Sequence, residues 1–202
     1  MVYKSSRNSF ILLMFVFFAG FCSSKQLFSE EKTSEIIIIK AAGFEKSKKP
    51  EGVDAITEAT SVGRNVNVVS RTIQNEFSRT GLKSEIILFN EYDRINEITK
   101  NKTIKLIIFA GPAYSSQFPR QLREVVPKLQ NFITDHKILC TSMTTCRFMQ
   151  SGWKTVQSFN QGLKNKGIQT IKGLAIHHEY EDEDWESKVK EFAQQLKLVI
   201  NN

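Results

Sequence analysis

The chain has little with which to bend, cross-link or chelate: its 202 residues hold four prolines, ten glycines, three cysteines and three histidines. The prolines and glycines are scattered and no segment repeats, which excludes fibrous and solenoid architectures and low-complexity tracts. Three cysteines are too few for a disulfide framework, and the spacing of Cys140 and Cys146 matches neither a zinc site nor a thioredoxin motif. No Walker loop, zinc-ligand spacing or ordered Ser-His-Asp set is present, so the chain offers no strong catalytic signature. Two histidines are adjacent, in His177-His178-Glu179, and neighbours on a strand point opposite ways, so no metal site is expected. Long apolar runs are also missing. The longest, from Phe10 to Phe21, would rise only about 18 Å as a helix, against the roughly 30 Å of a membrane's hydrocarbon core. What remains is ordinary: 41% apolar and 24% charged residues, suited to one globular domain with a full core.

The apolar run has a second reading. Lys4 and Arg7 precede it, and Cys22-Ser23-Ser24 and a polar stretch follow it, which is the three-part layout of a signal peptide. Residues 1–24 are therefore expected to direct export. Within them Ala19-Gly20-Phe21-Cys22 resembles a bacterial lipoprotein signal, a resemblance that implies lipidation of Cys22; ordinary cleavage after Ser24 is the alternative. Either way the protein is expected in the cell envelope, membrane-anchored by lipid through its N-terminus or periplasmic. Residues 25–34 read as a polar tether, and a single domain is expected over 35–202. The formal net charge of +7 keeps the surface basic, and Lys46, Lys48 and Lys49 share one loop, read as solvated. No nucleic-acid motif accompanies this charge, so no nucleic-acid partner is expected.

From Ile36 onward, continuous β-branched runs alternate with amphipathic segments. Ile36–Ile39 and Ile104–Ala110 have the pattern of strands buried on both faces, the latter stopped by Gly111-Pro112. Ile86–Phe89, Ile138–Thr141 and Thr170–Ile176 read as three further strands. A helix over Arg64–Arg79 is closed by Gly81, and a short helix or loop covers Asp93–Thr99. A helix over Pro119–Phe132 should be kinked or divided by Pro127, and one marked by Met149 to Leu163 is closed by Gly167. The last helix carries the stripe Trp185, Val189, Phe192, Leu196 and Val199, with acidic residues at its start, where they suit the helix dipole. Five alternations of strand and helix require right-handed crossovers and a parallel sheet covered on both faces, which makes the fold α/β. The segment 42–62 between the first strand and the first helix is far longer than usual. In such sheets ligands sit beyond the strands' C-terminal ends, where strand order reverses.

Two segments at those ends carry a family resemblance. Ile107 to Tyr114 followed by Phe118-Pro119-Arg120-Gln121-Leu122, with Gly111-Pro112-Ala113-Tyr114 as its sharpest part, resembles the third strand and flavin loop of flavodoxins and related flavin reductases. Thr60-Ser61-Val62-Gly63-Arg64-Asn65 resembles the flavodoxin phosphate loop. Together these imply a flavodoxin-like three-layer sandwich, with a five-stranded parallel sheet in the order 2-1-3-4-5, and bound FMN. The resemblance places Tyr114 against the isoalloxazine ring, beside Pro112 and Ala113. Thr60, Ser61 and Asn65 would donate to the phosphate, Gly63 would let the backbone approach it, and Arg64 would add a guanidinium. Thr141, Ser142, Thr144 and Thr145, in the hydroxyl-rich stretch Cys140–Cys146, are expected as a loop at the ring's edge. In an oxidising compartment Cys140 and Cys146 could join as a disulfide; the other reading makes Cys140 a buried strand residue.

The implied function is an FMN-binding redox protein, carrying electrons or acting as a reductase, with a donor and acceptor that the sequence does not name. Flavodoxins that carry electrons are strongly acidic, and this basic chain departs from them. The alternative is a cofactor-free flavodoxin-fold lipoprotein acting as an extracytoplasmic binding or interaction protein, meeting its partner through the long 42–62 loop.

Overall fold

The computed structural model describes residues 36–41, 61–99, 103–113, 116–177 and 184–201. Five strands form one parallel sheet: β1 (Ile36–Lys40), β2 (Ser84–Leu88), β3 (Leu106–Pro112), β4 (Leu139–Cys146) and β5 (Leu174–His177). Their order across the sheet is β2-β1-β3-β4-β5, as expected, with Ile36 opposite both Ser84 and Leu106. Five helices connect and follow them: α1 (Ser61–Arg79), α2 (Arg94–Thr99), α3 (Arg120–Asp135), α4 (Met149–Lys164) and α5 (Trp185–Asn201). The expected leader and tether, with Cys22, lie outside the described residues, as does most of the long 42–62 segment. Among the described residues no helix is long and apolar enough to cross a membrane.

Alternation along each strand splits the core in two. Ile37, Ile39, Ile107 and Phe109 face α3 and α4, where Leu122, Val125, Leu129, Phe159 and Leu163 meet them. Ile36, Ile38, Leu106 and Ile108 face α1 and α5, meeting Val66, Val69, Ile73, Phe77, Val189, Phe192 and Leu196. Both central strands are buried on both faces, as their β-branched runs require. At about 25 cal/mol per Å² of apolar surface removed from water, each of these side chains contributes on the order of 2 kcal/mol.

Helix ends feed the next strand through one repeated device. After α1, Gly81 adopts a left-handed φ of 81° and Leu82 N–H donates back to Phe77 O. After α4, Gly167 (φ 78°) does the same, with Ile168 N–H donating to Leu163 O. Both glycines stand where the sequence placed them. The turn after α3 has the same bond, Ile138 N–H to Ile133 O, but Lys137 holds the left-handed position at φ 53°. A side chain there costs roughly 1 kcal/mol that glycine avoids.

Several boundaries differ from the sequence reading. Pro127 does not divide α3: the helix runs on through it, and Pro127 lies on the exposed side, where water can serve the carbonyl left without a helical donor. Nor do Gly111 and Pro112 stop β3, which continues through both. Ala110 O accepts from Ala41 N–H on the β1 side, and Ala113 N–H donates to Thr145 O on the β4 side. Pro112 therefore turns its nitrogen toward the β1 side, past the last residue paired in that register, and no ladder bond is lost. On α5 the stripe ends at buried Ile200, while Val199 is 42% exposed.

The largest correction concerns β4. Its hydroxyl-rich half is not a loop; Leu139–Cys146 is one continuous strand, buried from Cys140 onward. Cys140 and Cys146 are both buried and are not joined to each other. Six residues apart on one strand they stand about 20 Å from each other, whereas a disulfide needs Cα atoms within about 7 Å. Cys146 instead packs against β5 and α4: its Sγ lies 3.4 Å from Ile176 O on β5 and 3.8 Å from Met149 Sδ on α4. A Cβ on Gly152 would overlap that sulfur, so α4 approaches the strand only because residue 152 has no side chain.

Gly152→Ala should therefore destabilise the protein by about 1–3 kcal/mol, the scale of an overpacked core. Urea unfolding of Gly152→Ala alone and with Cys146→Ala checks this: the second change should recover part of the loss. Burial also pushes the Cys140 thiol far above its ordinary value. A folded-state pKa raised in this way gives stability that is complete below the unfolded thiol's pKa of about 8.5–9 and is lost as pH rises above it, by about 1.4 kcal/mol per pH unit. Cys140→Ala should flatten the fall in stability between pH 9 and 10.5 relative to wild type, measured by denaturant titration.

Candidate functional site

The chain leaves β1 for α1 on one face of the sheet and leaves β3 for α3 on the other. β1 and β3 are neighbours, so their C-terminal ends border the crevice where strand order reverses. A crossover helix runs antiparallel to its strands, which brings the N-terminus of α1 to this same edge. There Ser61, Gly63, Arg64 and Asn65 belong to the first turns of α1, the end of a helix that carries partial positive charge. Asn65 is half-buried. Thr60, the remaining residue of the expected phosphate loop, and Tyr114, the expected ring-stacking residue, lie outside the described residues.

Lys40, which ends β1, is a feature the sequence reading missed. Its side chain is 6% exposed, and its Nζ donates to Asn67 Oδ1 on α1 at 2.6 Å. A buried ammonium is costly unless hydrogen-bonded and electrostatically compensated. That bond fastens the end of β1 to α1 beside the helix's N-terminal turns. The one available signal was a charge closing a run of four isoleucines at the strand end where such folds place ligands.

On the other side of the crevice, Gly111 and Pro112 are buried and Ala113 is half-buried. Gly111 has a packing role: a Cβ there would stand 2.9 Å from Pro119 Cγ and 3.0 Å from Leu122 Cδ1. Thr144 Oγ1 donates to Gly111 O at 2.8 Å and, with Ala113 N–H on Thr145 O at 2.8 Å, locks the ends of β3 and β4 together. Further on, Ser116 adopts φ 62° and its hydroxyl lies 3.1 Å from that of Ser151 on α4.

The four expected ring-edge hydroxyls separate into two groups. Thr141 and Ser142 are inside the protein and hold the segment leading into β5. Thr141 Oγ1 donates to Lys172 O at 3.1 Å and Ile171 O at 3.3 Å. Ser142 Oγ donates to Asn160 Oδ1 at 2.8 Å, and Asn160 Nδ2 donates onward to Ile171 O at 3.0 Å. Gly173 completes this arrangement, since a Cβ would overlap Ser142 O and Val156 Cγ1. Buried hydroxyls need partners, and these two find them in the protein. Thr144 and Thr145 do lie at the strand's C-terminal end, opposite Gly111 and Pro112, though both are buried. His177 ends β5 opposite Cys146; among the described residues no His, Cys, Asp and Glu cluster could hold a metal.

No family model and no curated protein sequence matches the chain. Solved structures do. The short-chain flavodoxin associated with a non-canonical PDU bacterial microcompartment superposes with a TM-score of 0.57 at 14% identity, covering 83% of this chain and 98% of that one. The flavodoxin of Streptococcus pneumoniae TIGR4 gives 0.54 at 13% identity, over 81% and 97%. Rubredoxin oxygen:oxidoreductase from Desulfovibrio gigas gives 0.58 at 9% identity over 85% of this chain, which spans 37% of the length of that enzyme. Strand order, crossovers and these superpositions agree: the chain has the flavodoxin-like fold.

Proposed function

We propose that the crevice between the ends of β1 and β3 binds a flavin mononucleotide and that the protein is a redox protein. The observation that carries the reading is the placement of the N-terminus of α1 at the point of strand reversal, beside the lysine that ends β1. A phosphate monoester is the ligand group that such a corner suits. The likeness to flavodoxins supports the same choice of ligand.

The residues fit the group at its phosphate end. The first-turn amides of α1 around Ser61–Asn65 would hold the phosphate, Thr60 and Arg64 would add donors, and Lys40 would supply charge from beneath. Tyr114 and the backbone of Pro112 and Ala113 would face the ring, with Thr145 at its edge. When bound, the flavin supplies the acceptance and release of electrons. The chain's own part is binding and orientation. Cross-linking of β3 to β4 through Thr144 and Ala113 fixes the ring side of the crevice before ligand arrives, which lowers the ordering cost of binding. No side chain of the crevice is required as an acid or base.

Export places this site outside the cytoplasm, tethered by a lipid on Cys22 or freed by cleavage after Ser24. Nicotinamide cofactors are mainly intracellular, so electrons would come from a membrane-side donor. The basic surface makes an acidic partner the better fit.

FMN should quench on titration into the purified protein and raise its melting temperature. Tyr114→Ala should weaken binding by about 1 kcal/mol, the scale of one aromatic contact, and Gly63→Val by more, because a side chain blocks the backbone's approach to phosphate. Lys40→Gln should reduce the preference for FMN over riboflavin, which lacks the phosphate. Well-folded wild-type protein that binds no FMN at high micromolar concentration would shift the assignment to the cofactor-free interaction protein. For the N-terminus, mass spectrometry of membrane and soluble fractions should find mature chains starting at Cys22 with added lipid mass, or just after Ser24; mature protein that keeps Met1 overturns export.

A further inference from the structure

A cavity of about 370 Å³ opens between α3 and α4, with the segment that follows β3 at one end. Its size falls at the lower end of the roughly 300–1,000 Å³ range of small-molecule sites. The floor is aromatic: Phe118 and Phe159 stack with ring centroids 4.4 Å apart and planes inclined by 27°. Two cations, Arg123 and Lys166, line it. Among the described residues neither has a carboxylate partner, whereas nearby Arg120 is paired with Glu124 at 2.6 Å.

Gly162 supplies an independent observation. It lies within α4, where glycine is less stable than alanine, and it lines the cavity. An added Cβ would meet no atom within 4 Å. Packing does not explain this glycine, unlike Gly152 on the same helix. What its missing side chain does is deepen the cavity. The walls are also held apart at a set width. At one end the Ser116 and Ser151 hydroxyls lie 3.1 Å apart, and at the other Gln130 Nε2 on α3 donates to Lys166 O beyond α4 at 3.1 Å. A cavity cross-linked at both ends is formed before any ligand arrives.

We propose that this cavity binds a small organic anion with a flat, apolar body of one or two rings, its ring over Phe118 and Phe159 and its anionic group between Arg123 and Lys166. The charge excludes apolar cations, and the aromatic floor disfavours compact inorganic anions, which could not use it. The proposal does not depend on the flavin assignment.

The probe is 2-naphthoate, titrated calorimetrically into the purified full chain, with the neutral isostere 2-naphthamide alongside. Saturable 1:1 binding is expected, with a dissociation constant below about 1 mM and the amide about tenfold weaker, the loss of one charged contact of about 1.4 kcal/mol. Arg123→Gln and Lys166→Gln should each weaken the naphthoate about fivefold or more. Gly162→Leu should abolish binding while the melting temperature stays at or above wild type, because the change fills empty space and improves the helix. Binding should be the same with FMN present. The proposal is overturned by absence of saturable binding to folded wild type, by acid and amide binding equally, by unchanged binding in stable Gly162→Leu, or by displacement of naphthoate with FMN. The last outcome would move the naphthoate to the strand-end crevice and leave the flavin reading standing.

Discussion

Burial of β1 and β3 on both faces is the constraint from which the rest of the molecule follows. Every isoleucine from Ile36 to Ile39 is fully buried, as are Leu106 to Ala110. Strands of this kind cannot lie at an edge or face solvent, so other strands must flank them and helices must cover both sides. Right-handed crossovers then send one connection to each face, and the two part company between β1 and β3. The crevice is thus a by-product of hydrophobic burial: the chain cannot bury those nine side chains without creating a gap between diverging connections.

How far this was legible in the sequence depended on where the physics was local. The isoleucine runs, the stripes of α1 and α4, and the glycines at positions 81 and 167 each carry their meaning within a few residues, and the structure agrees with them. β4 was different. Thr141, Ser142, Thr144 and Thr145 look like loop because hydroxyl side chains usually face water, and what makes the first three tolerable in a buried strand is a set of partners 18 to 33 positions away. Such compensation exists only once the tertiary structure has formed. The same holds for Lys40, whose partner Asn67 is 27 residues on, and for Pro127, harmless because its side of α3 is exposed. Val199 and Ile200 differ for a simpler reason: at 3.6 residues per turn, a step of three and a step of four from Leu196 fit a stripe equally well.

Polar groups therefore do two kinds of work here. Inside, hydroxyls and one amide replace part of the backbone ladder: they fasten the stretch before β5 to β4 and α4 where regular pairing is thin, Thr170 making only an isolated bridge to Cys140. At the end of β1, Lys40 is fastened to α1 through Asn67. The first set gives the sheet its fifth strand; the second ties the end of β1 to the first helix. That both draw on residues a hydropathy pattern would assign to loops explains why the fold was easier to read than the site.

The way β5 is attached has a consequence for the chain's behaviour among copies of itself. A sheet with so apolar a centre is exposed to strand addition wherever its margin offers a long row of free backbone donors and acceptors. Here one margin is a strand of four residues whose approach is irregular and secured by side chains. The other is β2, where Glu85 and Arg94 form an ion pair at 2.7 Å. Neither margin presents a long, flat, uncharged template, so the same hydroxyls that were mistaken for a ligand loop leave an incoming strand little to pair with, and protect the molecule from edge-to-edge aggregation.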